Sequence, residues 1–192
     1  CREKRRATVL PGARAMYISR LQKENRAKFS LDGLNCGIGG AAPIPVGMRR
    51  QFEKAFGARI SEGYGLSEAS PIAHPGPPLG TRKVGSIGLP LPGTEARIVD
   101  MELGTVPMPP GKVGELIVRG VQVMPGYWNK PDETAGTLRN GWPYTGDIAC
   151  MDRDGFCFFG DREKDMIICG GFNGTPREPD AVANRTPQAP GR

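Results

Sequence analysis

Gly63-Tyr64-Gly65-Leu66-Ser67-Glu68-Ala69-Ser70-Pro71 is the segment from which the fold and chemistry of this chain are most readily inferred. Its glycines predict a tight turn that presents the Tyr64 ring, the Ser67 hydroxyl and the Glu68 carboxylate together. A ring can stack on adenine, a hydroxyl can donate to a phosphate oxygen, and a carboxylate can bind the accompanying Mg²⁺. Taken alone, the segment is equally compatible with a nucleotide site and with a solvated, glycine-rich loop.

The residues before this segment predict strands and helices in alternation. Apolar runs indicate strands over 7–10, 34–38 and 58–62, and helical spacing of apolar residues indicates helices over 13–24 and 46–56. This order predicts a parallel sheet with a ligand crevice at the carboxyl ends of its strands. The glycine-rich segment follows the third strand directly, so we expect it to lie at that edge.

The same spacing predicts which helical side chains face the core. The inward residues of the first helix are expected to be Ala15, Met16, Ile18 and Leu21. Those of the second helix are expected to be Met48, Phe52 and Phe56. Pro45 and Gly57 mark the ends of the second helix, and Pro11-Gly12 is expected to interrupt the chain after the first strand.

The pattern changes after Pro75-Gly76-Pro77-Pro78, and residues 83–159 predict a small antiparallel sheet or barrel. Short alternating runs are separated there by glycine and proline. The expected strands are Ser86–Leu89, Glu95–Val99, Gly114–Arg119, Asp147–Met151 and Gly155–Phe159. Asp152-Arg153-Asp154-Gly155 is typical of a hairpin turn. The predicted fold class is therefore α/β, a parallel-sheet segment followed by a β-barrel-like subdomain.

Composition and charge exclude several classes of protein. The formal net charge of +6 is spread along the chain without a basic stripe or a known motif, so no nucleic-acid partner is expected. No apolar run is long enough for a transmembrane helix. Five cysteines without a C-x-x-C pair favour a reducing, cytoplasmic location, and the single histidine, His74, has no cysteine at zinc-ligand spacing. A mild basic excess suits anionic substrates.

Further motifs follow in a fixed order. They are Gly39-Gly40-Ala41-Ala42-Pro43 before the central segment, and after it Tyr144-Thr145-Gly146-Asp147, Gly160-Asp161-Arg162-Glu163-Lys164-Asp165 and Gly170-Gly171-Phe172-Asn173. Each motif is weak alone, but together they resemble the adenylate-forming superfamily of acyl-CoA synthetases, luciferases and peptide-synthetase adenylation domains. The resemblance extends from about residue 7 to Asn173.

The resemblance implies a role for each candidate site residue. Tyr64 with Gly65 would flank adenine, Ser67 would contact the α-phosphate as a catalytic residue, and Glu68 would act in catalysis by holding Mg²⁺. The family usually has Thr at the position of Ser67, and the hydroxyl is kept. Asp147 would anchor both ribose hydroxyls, with Arg162 as a second ribose or phosphate contact.

The remaining candidates line other parts of the expected site. Gly40, Ala41 and Ala42 resemble the small-residue loop that passes close to adenine and the acyl carbonyl. Lys164 matches the hinge that joins the large domain to a C-terminal lid, and Gly170 and Gly171 would line the path of coenzyme A.

The match is closest to long- and medium-chain fatty-acyl-CoA synthetases, through Leu10-Pro11-Gly12, the central segment and Met124-Pro125-Gly126-Tyr127-Trp128. The resemblance implies that a fatty acid, ATP and coenzyme A are the substrates and that an acyl-adenylate is the intermediate. Peripheral contact with a membrane is compatible with such substrates. Rival hypotheses are a non-catalytic module that binds AMP or acyl-adenylate, and an adenylating enzyme with a carrier-protein acceptor.

The resemblance also predicts a division of the chain. Residues 1–80 would form the end of the α/β adenylate-binding subdomain, 81–159 the β-rich subdomain, and 160–173 the hinge and start of a truncated lid. Residues 174–192 hold four prolines and are expected to be a disordered, aberrant tail. The family's phosphate loop would lie upstream of residue 1 and its lid lysine beyond residue 192, so we expect an inactive fragment.

Overall fold

The computed structural model describes residues 7–22, 33–40, 44–77, 80–162, 167–169 and 172–174. The chain divides into two compact units. The first consists of residues 1–94 and 120–124, and the second of residues 95–119 and 125–192.

The first unit is built on a parallel sheet. Strands β1 (Val9–Ala13), β2 (Cys36–Gly40) and β3 (Arg59–Glu62) lie in the order β1-β2-β3. Helix α1 (Arg14–Gln22) follows β1, and helix α2 (Val46–Phe56) connects β2 to β3. The parallel registers confirm the predicted alternation of strands and helices.

Helix α2 confirms the prediction from its apolar spacing. It spans Val46–Phe56, and Phe52 is fully buried while Met48 and Phe56 pack against the same core. Gly57 ends the helix with a φ of 65°, and its N–H donates to the carbonyl of Glu53, as a left-handed C-terminal residue does.

The inward face predicted for helix α1 is confirmed at Leu21, which packs against the core, and is wrong at Ala15 and Met16. Met16 is 45% exposed and Ala15 is also exposed, whereas Tyr17 is 1% exposed. The Tyr17 hydroxyl donates to the carbonyl of Leu10 at 2.7 Å, and its ring meets Phe52 edge-on at 5.2 Å between centroids. A buried ring with its hydroxyl bonded contributes more burial than the smaller residues around it.

Strand β1 also runs through Pro11-Gly12, where the sequence predicted an interruption. Pro11 pairs with Ile38 of β2, and within the described part of the chain no strand lies on the other side of β1. An edge strand tolerates proline because one row of its N–H groups is not needed for pairing.

Short strands complete the first unit. Strands β4 (Tyr64–Gly65) and β5 (Ile72–His74) pair in antiparallel orientation around a 3₁₀ turn at Ser67–Ala69, and β6 (Ser86–Gly88) follows.

The second unit is an antiparallel sheet, as the sequence predicts. Its strands lie in the order β11-β10-β8-β7, with β9 paired to β10. Their bounds are β7 (Glu95–Val99), β8 (Val113–Arg119), β9 (Leu138–Arg139), β10 (Trp142–Met151) and β11 (Cys157–Arg162). Strand β10 begins at Trp142, five residues before the predicted Asp147.

Three features of this unit were not predicted. Helix α3 (Pro131–Thr137) and strand β9 precede β10, and β12 (Ile167–Cys169) pairs with β13 (Phe172–Gly174). The predicted turn at 152–155 is confirmed, because it joins β10 to β11 and the Asp152 carboxylate accepts the N–H groups of Asp154 and Phe156.

Both faces of the sheet bury side chains, since Ile117, at 5% exposed, lies between two buried neighbours on β8. Leu116, Val118 and Ile148 are each 2% exposed or less. Cys36 and Cys157 are buried and form no disulfide, in line with the role of buried cysteine as a small hydrophobe. No helix within the described ranges is long and apolar enough to cross a lipid bilayer.

Candidate functional site

The glycine-rich segment begins where strand β3 ends. The N–H of Gly63 donates to the carbonyl of Gly39 at 2.8 Å. A Cβ atom placed on Gly63 would lie 3.4 Å from the carbonyl oxygen of His74. Gly63 therefore lies between β2 and β5, and it delivers Tyr64 at the carboxyl end of the parallel sheet, the position predicted from sequence.

Gly65 is the residue on which the tight loop depends. A Cβ atom there would lie 2.0 Å from the carbonyl oxygen of Pro71, which no side chain can tolerate. The same oxygen accepts the N–H of Leu66 at 2.7 Å, and Tyr64 pairs with His74 across the loop. The backbone can close only because residue 65 has no side chain.

Ser67 and Glu68 lie together in the 3₁₀ turn. Ser67 is exposed, Glu68 is half-buried and Ala69 is fully buried. The N–H of Ala69 donates to the carbonyl of Leu66 at 3.0 Å, and the N–H of Met124 donates to the carbonyl of Glu68 at 2.8 Å. The buried alanine anchors the turn, so that the hydroxyl of Ser67 faces solvent.

Gly40 lies beside this loop. It is the last residue of β2, and a Cβ atom there would be 3.8 Å from the carbonyl oxygen of Gly63. The first unit thus brings Gly40, Tyr64, Gly65, Ser67 and Glu68 together. Ala41 and Ala42, the other residues of the small-residue loop, lie outside the described residues.

A charged pair at the base of the loop was missed by sequence reasoning. Arg49 in the first turn of α2 lies 3.7 Å from the Glu62 carboxylate, and the two side chains are only 12% and 13% exposed. Glu62 ends β3, so the pair fixes the strand from which the loop emerges. The sequence does contain a signal for this pair, because Arg49 lies one turn before Phe52 and therefore close to the inward face of the helix.

His74 was also overlooked, since the sequence served only to exclude a zinc site at this residue. It is fully buried, and its ring centroid lies 5.9 Å from that of Tyr64 at an interplanar angle of 63°. Burial lowers the pKa of His74 to about 4, so the imidazole is neutral at pH 7.

In the second unit the Tyr144–Asp147 motif forms an irregular stretch of β10. Five residues of β10, from Tyr144 to Ile148, lie opposite three residues of β8, from Ile117 to Glu115. Such a bulge redirects side chains, and it often lies next to a functional site.

Hydrogen bonds hold each residue of the bulge. The Tyr144 hydroxyl donates to the carbonyl of Gly104 at 2.7 Å, and that of Thr145 donates to the carbonyl of Leu116 at 2.6 Å. Gly146, with a φ of 67°, donates its N–H to the Glu115 carboxylate at 2.9 Å. Asp147 itself is only 6% exposed.

The register of β10 and β11 pairs Asp147 with Arg162, so the two predicted ribose contacts occupy neighbouring backbone positions. The strands shift register between Asp147 and Ala149. Lys164, Gly170 and Gly171 lie outside the described residues.

The residues of the first unit fit a nucleotide with its magnesium ion. A half-buried ring, an exposed hydroxyl and a carboxylate are presented by one short loop. Magnesium commonly binds one or two carboxylates together with substrate phosphates and water. In the described part of the chain no group of three or more metal-ligating side chains is found, and a single carboxylate such as Glu68 suits a metal that arrives with its nucleotide.

Comparison with known proteins identifies relatives of this chain. The family profile for AMP-binding enzymes matches residues 1–128. The long-chain-fatty-acid–CoA ligase of Bacillus subtilis is 47% identical over 176 residues, which is 92% of this chain and 31% of that protein. The feruloyl-CoA synthase of an Amycolatopsis species is 36% identical over 182 residues, covering 92% of this chain and 35% of that protein. The chain spans about a third of the length of these curated relatives.

Solved structures give the same result. ATP-bound MatB from Rhodopseudomonas palustris aligns with a TM-score of 0.87 at 34% identity, over 95% of this chain and 36% of that chain. The O-succinylbenzoate coenzyme A synthetase of Bacillus subtilis in complex with AMP aligns with a TM-score of 0.84 at 29% identity, over 97% of this chain and 37% of that chain. The predicted resemblance to adenylate-forming enzymes is confirmed, and the chain belongs to the AMP-binding enzyme family.

Proposed function

We propose that this chain is a segment of an AMP-forming acyl-CoA synthetase that acts on fatty acids. The whole enzyme would join a fatty acid to ATP, releasing pyrophosphate and forming an acyl-adenylate, and would then transfer the acyl group to coenzyme A with release of AMP. The observation that carries the proposal is the loop at Tyr64–Glu68, which presents a half-buried aromatic ring, an exposed serine and a half-buried carboxylate at the carboxyl end of a parallel sheet. The ligase relatives support the reaction class.

The proposed roles in the first unit follow the geometry of the loop. Tyr64 flanks adenine, and Gly65 lets the backbone approach it closely. Ser67 donates its hydroxyl to the α-phosphate. Glu68 holds the Mg²⁺ that neutralises the phosphates, which is the contribution of the metal to adenylation. Gly40, with Ala41 and Ala42, forms the wall beside the nucleotide.

In the second unit we assign the ribose to Asp147 and Arg162. A carboxylate can accept a hydrogen bond from each of the two ribose hydroxyls. We assign the hinge to Lys164 and the coenzyme A path to Gly170 and Gly171, within a lid that begins in residues 160–173.

The experiment that tests the proposed function is calorimetric titration of AMP into the 192-residue chain. Wild-type chain is expected to bind AMP with saturation. Ser67→Ala should weaken binding about tenfold or more, because a hydrogen bond to a charged phosphate is lost. Thr81→Ala removes an exposed hydroxyl elsewhere in the first unit and should bind like wild type. Failure of the wild-type chain to bind AMP contradicts the proposal.

A further inference from the structure

His74 occupies a fixed place directly beside the candidate nucleotide loop. It pairs with Tyr64 in the β4–β5 ladder, and its carbonyl oxygen packs close to Gly63. The preceding residue, Ala73, is fully buried and its carbonyl accepts the N–H of Leu91 at 2.9 Å. Strand β5 is therefore held from both sides, and the imidazole has little freedom to move away from the Tyr64 ring.

The imidazole is buried without a hydrogen bond. His74 is 0% exposed, and within the part of the chain that the structure describes neither Nδ1 nor Nε2 has a partner. A buried polar atom with no partner destabilises a fold, and replacing it by an apolar group of similar shape is commonly neutral or stabilising. For the folded chain by itself, a leucine would therefore suit this position better than histidine.

The Tyr64 ring beside the imidazole indicates what a histidine contributes at this position. Tyr64 is half-buried and meets the imidazole at an interplanar angle of 63°, with 5.9 Å between centroids. A neutral imidazole has one N–H donor and one lone-pair acceptor. It can pack against the tyrosine ring and still keep a donor and an acceptor, which have no partner among the described residues.

We propose that His74 is a positioning residue of the nucleotide site, which supports the Tyr64 ring and makes its hydrogen bond only when nucleotide is bound. The partner is the nucleotide itself or a water molecule that the nucleotide orders. The inference rests on the proposed function, because it takes the space beside Tyr64 to be the nucleotide site.

The direct test uses the fact that His74 is the single histidine of the chain. The 192-residue chain is labelled with ¹⁵N-histidine, and the imidazole nitrogens are followed by NMR during an AMP titration at pH 7. One nitrogen is expected to move toward the hydrogen-bonded range, with the same dissociation constant as calorimetry gives. An intermolecular nuclear Overhauser effect between the imidazole C–H protons and the AMP protons separates direct contact from a bridging water.

Two outcomes overturn the inference in distinguishable ways. If AMP binds by calorimetry and the imidazole nitrogens do not move, the inference is wrong and the proposed function stands. If AMP does not bind at all, the proposed function fails and the inference fails with it.

Variants separate a positioning role from a purely structural one. His74→Leu should keep or raise the melting temperature, since an unpartnered polar group is removed, and should weaken AMP binding about three- to tenfold. His74→Gln restores a donor and an acceptor and should recover part of the affinity. Equal AMP binding by the Leu variant and wild type contradicts the proposal, and the wild-type NMR titration tests it even if a variant does not fold.

Discussion

Single atoms decide whether the candidate loop can form. The carbonyl oxygen of Pro71 lies where a side chain on residue 65 would begin, and the same oxygen accepts the N–H of Leu66. The loop therefore tolerates glycine alone at position 65. Arg49 and His74 act at the same scale: the half-buried Arg49 pairs with Glu62 at the end of β3, and the buried His74 lies opposite Tyr64.

Gly65→Ala is expected to abolish AMP binding and to destabilise the chain by about 1–3 kcal/mol, because the backbone must shift to admit the methyl group. Calorimetry and thermal unfolding measure the two effects. Gly47→Ala is the control: nothing lies within 4 Å of a Cβ atom there, and Gly47 is part of helix α2. This control should stabilise the chain by up to about 1 kcal/mol. Normal AMP affinity in Gly65→Ala would contradict the role of the loop.

At the scale of elements, two polar contacts fix segments that lack regular structure. Arg82 donates to both the Glu53 carboxylate and the carbonyl of Ile60 at 2.7 Å, and the N–H of Ile60 donates to Glu53 at 3.0 Å. These bonds tie the segment after β5 to helix α2 and strand β3. Burial by itself raises the pKa of Glu53. The opposing effects are larger together, and they come from the hydrogen bonds of Arg82 and Ile60 and from the charges of Arg82 and Arg49. The pKa of Glu53 is therefore lowered.

Arg82→Ala is expected to destabilise the first unit by about 1–3 kcal/mol, since it leaves a largely buried carboxylate with one partner fewer. Arg59→Ala removes an exposed side chain whose hydrogen bond to Gly80 is long, at 3.4 Å, and should cost much less. Urea unfolding followed by circular dichroism compares the two variants. Equal losses of unfolding free energy would show that the hydrogen bonds of Arg82 contribute no more to stability than the hydrogen bond of Arg59.

The second polar contact is the loop after β7. The Asp100 carboxylate accepts the N–H groups of Leu103, Gly104, Thr105 and Val106, at 2.6 to 3.2 Å. These hydrogen bonds, that of Val106 foremost, lower the pKa of Asp100. Because the folded pKa lies below the unfolded one, the stabilisation is present above the unfolded pKa and is lost as pH falls through the folded pKa.

Asp100→Asn should therefore lower the melting temperature at pH 7, and the difference from wild type should shrink as the pH is lowered below about 4. Melting curves between pH 3 and pH 7 measure this difference. Glu102→Gln changes an exposed carboxylate in the same loop and should follow wild type at each pH. A constant difference between Asp100→Asn and wild type across the range would refute the linkage.

At the scale of the whole molecule, the prediction concerns whether this chain can catalyse the reaction by itself. It spans 31% of the length of the Bacillus subtilis ligase and belongs to a family of AMP-binding enzymes. Adenylation requires charge stabilisation from several preorganised groups, and loss of one such donor typically costs 10²–10³ in rate. We therefore expect the 192-residue chain to bind AMP without completing the reaction.

The expected outcome is no fatty-acid-dependent exchange of pyrophosphate into ATP by the purified chain, under conditions where it binds AMP. A full-length relative is the positive control, and the assay detects radiolabelled ATP. Robust exchange that depends on added fatty acid would overturn the expectation of inactivity and would at the same time strengthen the proposed reaction.

Much of this molecule could be predicted from sequence because the signals are local. The helical spacing of apolar residues predicted helix α2 with its inward Phe52, and the alternation of residues predicted β7. The residues at 152–155 predicted the turn that joins β10 to β11. The glycine-rich loop after β3 followed from residues 63–71 alone. In each case the residues that specify the structure are neighbours in the chain, so their pattern is visible before folding.

The tertiary structure decided what depends on distant partners. Tyr17 rather than Met16 faces inward because the Leu10 carbonyl and the Phe52 ring receive it. The bulge at 144–148 depends on pairing with a distant strand, since five residues of β10 lie there opposite three of β8. His74 is buried because β5 folds back onto β4. The sequence determined the chemistry available to this chain, and long-range packing determined which side chains are buried, because burial is a property of contacts between residues far apart in sequence.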